Sequence, residues 1–149
     1  MERKPVSASS LERPYFVVDA DLNARGTFYG GRLLAIIDSF AGRVAGEHAE
    51  TGCVTRSMDS MTFDAPVFLD ETLLIHVAVN RSWHTSMEIG VKVLVQRDGE
   101  NIHVASAYLT FVAIDDEGNP TSVPEVHAET DEEIRRYHQA DVRRRSRLS

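Results

Sequence analysis

Two periodicities divide the chain. Over residues 30–50, Leu34, Ile37, Ala41, Val44 and Ala45 gather on one side of a helical wheel stepped at about 100° per residue, and Arg32, Arg43, Glu47 and Glu50 gather on the other. Beside the apolar stripe runs a ribbon of small residues, Ala35, Ser39, Gly42, Gly46 and Ala49. Small residues let a backbone pack closely, so this stretch predicts a long helix held tightly by the rest of the chain. The next fifty residues alternate instead. Leu73, Ile75, Val77 and Val79 interleave with Thr72, His76 and Asn80, and Met87, Ile89, Val91, Val93 and Val95 interleave with Glu88, Lys92 and Gln96, the pattern of strands with one solvated face.

Residues 104–114 are apolar on nearly both sides and predict an interior strand, joined to its predecessor by a hairpin at Asp98-Gly99. Residues 54–63 read as a more polar strand, residues 14–19 as a short one leaving into the polar loop 20–31, and residues 115–120 as a turn cluster. Thr130 followed by Glu133 is a capping box that opens a terminal helix, whose far end carries Arg143, Arg144, Arg145 and Arg147. The order is strand, long helix, four antiparallel strands and a second helix, an α+β chain whose first and last dozen residues are the expected loose ends.

With 149 residues the chain fits one domain with a sizeable core, and no internal repeat or low-complexity linker interrupts it. Sixteen basic against 23 acidic residues, a net charge of −7, argue against a surface that neutralises a phosphate backbone, so nucleic acid is not an expected partner. A single cysteine, Cys53, allows no intrachain disulfide. The opening residues carry charge and no apolar core, and no long apolar run occurs further along, so neither export nor a membrane span is expected and a cytoplasmic setting is.

Among candidate chemical groups Asp38 stands out, because the wheel sets it between the apolar stripe and the small ribbon, roughly opposite the charged face. An inward carboxylate costs several kcal/mol unless it is paired or takes up a proton, so it is either used in catalysis or satisfied by a buried arginine or a loop. Just ahead, Asn23, Gly26, Gly30 and Gly31 lie on the entry to the helix. A glycine-flanked helix start offers unpaired N–H groups that stabilise an oxyanion, and equally makes a tight turn. The six histidines show no metal-binding spacing, Cys53 has no basic cluster beside it, and neither a nucleophile elbow nor a phosphate loop is present. The basic run near the end either complements a helix dipole or meets a phosphorylated ligand.

These residues together resemble a family, the hotdog-fold acyl-CoA thioesterases, in the acyl-CoA hydrolase group of short bacterial enzymes and tandem-domain animal cytosolic ones. The resemblance covers about residues 15–145. Its pieces are Asn23, Gly26 and Gly30-Gly31; Leu33-Leu34 with Asp38 and Ala41; Val54-Thr55 with Asp59 and Phe63; Thr85-Ser86-Met87; Phe111-Val112; Val123-Pro124; and Thr130, Glu133, Arg136 and Tyr137. It implies a flexible N-terminus over residues 1–12, a hotdog domain over 13–126 in which an antiparallel sheet wraps the long helix, and a helical extension with a basic tail over 127–149. It also implies dimers that join two sheets edge to edge, commonly as trimers of dimers.

By the same resemblance the protein hydrolyses acyl-CoA to a fatty acid and coenzyme A at a site between two subunits, with no metal and no cofactor beyond the coenzyme A of the substrate. Asp38 is the general base or nucleophile, Asn23 of the partner positions water and thioester, and the N–H groups near Gly30 and Gly31 polarise the carbonyl. Thr85 and Ser86 would touch the pantetheine arm or the acyl pocket, and Arg143 and Arg144 the phosphates of coenzyme A. Tyr29 stands where family members often carry His or Phe, which bears on chain-length preference. The competing readings are an acyl-CoA sensor without turnover, for which the Asp38 and Asn23 pair has no use, and a hydroxyacyl-thioester dehydratase, which would prefer a histidine base.

Overall fold

A computed structural model describes residues 1–148, with the side chain of Ser60 excepted. The chain runs through β1 (Lys4–Pro5), β2 (Leu11–Phe16), α1 (Gly30–Ala49), β3 (Cys53–Phe63), β4 (Thr72–Ser82), β5 (Ser86–Arg97), β6 (Glu100–Ala113), β7 (Val126–His127) and α2 (Asp131–Leu148). The five long strands form one antiparallel sheet in the order β2-β4-β5-β6-β3. β6 lies inside it, as its two-sided apolar pattern requires, and β3 and β2 are the edges. Helix α1 fills the concave face with Leu33, Ile37, Ala41 and Val44 against Leu73, Ile75, Ile89, Leu109 and Phe111, all buried. This is the α+β order that the sequence predicts and the hotdog architecture that the resemblance implies.

Local chemistry explains the boundaries. α1 ends where Glu50 turns left-handed at φ 58°, its N–H bonding the Gly46 carbonyl at 2.8 Å. Asp98 and Gly99 both take positive φ, 51° and 79°, as a two-residue hairpin that matches the strand twist demands. At the start of α2 the capping box closes: the Glu133 N–H donates to Thr130 Oγ1 at 3.1 Å, and the Thr130 N–H donates to Glu133 Oε1 at 3.3 Å.

α2 lies on the face of the sheet away from α1. Ala140 is fully buried there, and the Arg143 guanidinium stacks on the Tyr108 ring of β6 at 3.7 Å. The Glu88 carboxylate of β5, with no solvent exposure, takes two bonds from Arg143 at 2.8 Å each and a third from Asn80 Nδ2 at 2.9 Å. Gly90 makes room for this network, because a Cβ there would come within 2.6 Å of Asn80 Nδ2.

The structure departs from the sequence-based expectation at both ends. The first strand is Leu11–Phe16, beginning before residue 14, because its partner β4 pairs from Thr72 back to Val77. From Lys4 onward the first twelve residues are tied into the fold. Lys4 and Pro5 pair in parallel with Val126 and His127, and Val6 is buried in the core. Lys4 Nζ donates to the His48 carbonyl at 2.9 Å and pairs with Glu50 at 2.8 Å, which fixes the N-terminus to the end of α1. The tail is likewise a continuous helix to Leu148; Ser149 lies outside the described residues.

Candidate active site

The entry to α1 is built on a buried acid. Asp21 closes a short 3-10 turn (Asp19–Asp21), accepting the Val18 N–H at 3.0 Å, the Tyr15 hydroxyl at 2.9 Å and Arg32 Nε at 3.1 Å, while its carbonyl accepts the Tyr29 N–H at 2.8 Å. Burial pushes its carboxyl up, but the donors Val18, Arg32 and Tyr15 outweigh burial and hold it below the ordinary carboxylate value. Asp21 thereby locks the first turn of α1 to the preceding loop.

That first turn presents Gly30 and Gly31. The Tyr29 carbonyl accepts from Arg32 and Leu33 at 3.0 and 3.1 Å, and helix geometry gives the Gly30 and Gly31 N–H groups no acceptor within the helix. They face outward at the positive end of the helix dipole. A Cβ on Gly31 would lie 2.8 Å from the Tyr29 ring, and one on Gly30 would lie 3.4 Å from Phe63, so the glycines let two aromatic rings close over the helix start. A cleft of about 340 Å³ opens beside them, lined by Thr27, Phe28, Gly30, Phe63, Asp64 and Val67 among others.

Asn23 shapes the loop before this cleft. Its Oδ1 accepts the N–H groups of Arg25 and Thr27 at 2.9 and 3.2 Å, and its Nδ2 donates to Thr27 Oγ1 at 3.0 Å. Gly26, at φ 80°, supplies the left-handed turn this requires. One of the two Asn23 amide hydrogens is used within the loop.

Asp38 does not point into the core. It is half-buried on the flank of α1 shared with Leu34, 37% exposed, and with the exposed Ala35 and Ser39. The first part of the small-residue ribbon, Ala35 and Ser39, is thus open in a single chain, whereas Gly42 and Gly46 are partly covered and Ala49, like Leu33 and Ile36, is buried. Thr55 Oγ1, from the edge strand β3, donates to Asp38 Oδ1 at 2.7 Å. Thr55, the hydrogen-bond partner of Asp38, stands out in sequence only as part of the Val54-Thr55 pair. No local signal ties it to Asp38, since the contact crosses from strand to helix.

Eight residues of helix separate Asp38 from Gly30, about 12 Å along the axis, too far for both to act on one carbonyl within one chain. The other expected residues gather elsewhere. Phe63 meets Gly30 at one end of β3, whereas Thr85 and Ser86 sit at the opposite end of the sheet, Ser86 facing Val112, which in turn pairs with Val54. Arg144 Nη1 donates to Ser86 Oγ at 3.2 Å and its guanidinium stacks on Trp83 at 4.5 Å. Arg143 is bound to Glu88, and Arg147 pairs with Asp59 of β3 at 2.5 Å. Among the described residues no three His, Cys, Asp or Glu side chains come together as metal ligands. Burial pushes the Cys53 thiol up to about 11, so it is not a ready nucleophile.

Known proteins resemble this chain in sequence and in fold. The model of the thioesterase superfamily matches residues 25–102. The uncharacterized acyl-CoA thioester hydrolase YkhA of Bacillus subtilis is 37% identical over 133 residues, spanning 88% of this chain and 77% of that one. The crystal structure of an apo-hexameric acyl-CoA thioesterase superimposes with a TM-score of 0.95 at 35% identity, covering 99% of this chain and 96% of the other. An acyl-CoA hydrolase from Staphylococcus aureus, solved with butyryl coenzyme A, coenzyme A and coenzyme A disulfide, gives 0.94 at 35% identity over 98% and 90% of the two chains. Variants of that enzyme with alanine in place of one aspartate, one asparagine and one threonine have also been solved. The intervals separating those three positions equal the intervals separating Asn23, Asp38 and Thr55 here. The fold, the helix start and the family match agree, and the chain is a member of the thioesterase superfamily.

Proposed function

We propose that the protein is an acyl-CoA thioester hydrolase whose site is shared by two subunits, and that Asp38 activates the attacking water. The observation that carries this is the 2.7 Å bond from Thr55 to Asp38 Oδ1 on an open flank of α1. One neutral hydroxyl orients the carboxylate and leaves its second oxygen for a water. The proton of that water passes to Asp38 as oxygen attacks the thioester carbonyl, and the carbon–sulfur bond breaks to release coenzyme A as a good leaving thiolate. Such a leaving group calls for neither metal nor triad, and coenzyme A enters only as part of the substrate.

The topology supports the shared site. β3 is an unpaired edge, and antiparallel pairing with its own copy lays the Phe63 end of one strand against the Cys53 end of the other. The partner's Gly30 and Gly31 then approach Asp38 and Thr55, closing the 12 Å gap, and the partner's Asn23 comes with them to position water and thioester. Three such dimers would form a hexamer like that of the neighbouring structure. Thr85, Ser86 and Arg144, clustered at the same end of the sheet as Thr55, are proposed contacts for the coenzyme A arm and its phosphates. The cytoplasmic setting is part of this reading; no helix among the described residues is long and apolar enough to cross a membrane.

The experiment is a panel of acyl-CoAs with a thiol reagent, run on the native protein, on Asp38→Ala and on Asn23→Ala. Free thiol released by the native protein and lost in both variants is the expected result. Mixing the two inactive variants should restore about half the activity of a native dimer in each mixed dimer, because one of its two sites is then intact. Binding without thiol release would mark an acyl-CoA sensor, a change in unsaturation without thiol would mark a dehydratase, and no restoration on mixing would place the site within one chain.

A further inference from the structure

The outer face of the sheet carries a histidine and a serine to which the proposed thioester hydrolysis gives no part, joined to Asp64, whose chain segment also borders the cleft beside Gly30. On β6 the buried Ala105, Ala107 and Leu109 face α1, whereas Ser106 and Tyr108 alternate to the other face. The β5–β6 ladder shifts register so that Val93 pairs with Ala105 and Leu94 with His103, leaving Val104 as the extra residue. The bulge turns His103 toward the face that Ser106 occupies. His103 Nε2 lies 2.7 Å from Ser106 Oγ, and His103 Nδ1 lies 2.6 Å from Asp64 Oδ2. The Asp64 N–H donates to the Val104 carbonyl at 2.8 Å, which anchors the acid to the bulge itself.

We infer that Asp64, His103 and Ser106 form a serine nucleophile that accepts acyl or phosphonyl groups from small uncharged activated esters. The carboxylate holds the Nδ1–H and fixes the tautomer, so that Nε2 turns its lone pair to the serine hydroxyl; a triad is defined by these roles, whatever the order of its members along the chain. Lys92, directly opposite Ser106 across the ladder, adds positive charge where the acyl oxygen becomes negative. The hydroxyl opens on a groove of about 700 Å³ whose walls include His76, Gly90, Lys92, Tyr108 and Arg136, room enough for a small ester.

The step balances. Ser106 Oγ bonds the ester carbonyl carbon as its proton moves to His103 Nε2, and the carbon–oxygen bond to the leaving group breaks. The leaving alkoxide takes that proton, and water then hydrolyses the acyl-serine with His103 again as base. With a fluorophosphonate the same attack forms an oxygen–phosphorus bond and expels fluoride, leaving a stable adduct. The His103 and Asp64 side chains are 38% and 50% exposed, so the water needed for deacylation has access.

The test uses the full-length chain carrying Asp38→Ala, which silences the proposed thioesterase site. It is treated with a fluorophosphonate and followed by intact mass and peptide mapping, with p-nitrophenyl acetate turnover alongside. The expected result is an adduct on Ser106, lost in Ser106→Ala and slowed roughly a hundredfold or more in His103→Ala, the low end of what a general base contributes. Added imidazole should restore labelling of His103→Ala, which a merely structural histidine would not allow. Ser106→Ala alone should hydrolyse acyl-CoA like the native chain. No adduct at Ser106, or labelling equally fast with and without His103, overturns the inference.

Discussion

Two carboxylates on opposite faces of the same sheet are held in opposite ways. Glu88 has no exposure, a bidentate arginine and an amide donor, with Tyr108 stacked over the arginine. Asp38 is half-buried and is held in the chain by the Thr55 hydroxyl. A fully buried acid that already accepts three hydrogen bonds is closed to a substrate; its role is to pin α2 to the sheet. An acid oriented by one neutral donor keeps an oxygen for chemistry and needs a second surface to enclose it. In the proposed reading, stability and reactivity are thus separated by which side of the sheet each acid lies on.

The strongest way to break that contrast is to delete each acid's function in turn. Asp38→Ala should lower kcat for acyl-CoA hydrolysis by about a thousandfold, within the range for loss of a general base, while its melting temperature stays near that of the native protein. Arg143→Met should do the reverse, costing roughly 3–5 kcal/mol in denaturant unfolding because it strands a buried charge. Replacing Glu88 and Arg143 together by methionine should recover most of that loss, since no unpaired charge remains. Thr55→Ala removes one hydrogen bond from Asp38, worth about 1.5 kcal/mol, so kcat should fall about tenfold with little change in KM.

The smallest effect concerns pH. His48 is fully buried and its Nε2 bonds the Pro124 carbonyl at 2.8 Å. Burial lowers its affinity for a proton; the Pro124 carbonyl partly opposes this and Lys4 reinforces it. The folded value lies below the unfolded one, so the unfolded chain takes up the proton first. Stability from this group is therefore present above the ordinary imidazole value of about 6.5 and is lost as pH falls through it, by at most about 1.4 kcal/mol per pH unit. Unfolding midpoints measured from pH 7.5 to 5.5 should fall less steeply in His48→Gln.

Much of the fold is legible in the sequence because its signals are local. Helical and alternating periods, the Asp98-Gly99 turn and the Thr130/Glu133 box each act within a few residues. The N-terminal pairing is not legible, since a strand of two residues has no period. The orientation of Asp38 misleads for a physical reason: small residues that look suited to burial against the chain's own sheet lie on the flank that a second chain would cover. Arg143 looks like a free cation in sequence because its partner is 55 residues away. Asp21, buried and essential to the geometry of the helix start, is indistinguishable in sequence from the exposed Asp19 two positions before it.

The parallel pairing of Lys4–Pro5 with Val126–His127 makes the chain's beginning a clasp on its end. The segment that leads into α2 is seated by those first residues together with Ser82, whose Oγ accepts the Val126 N–H at 3.0 Å and donates to the Pro124 carbonyl at 2.9 Å. Trimming the N-terminus would therefore loosen the lead into the basic helix while Glu88 still grips Arg143, and an affinity tag placed ahead of Met1 would load that same buckle.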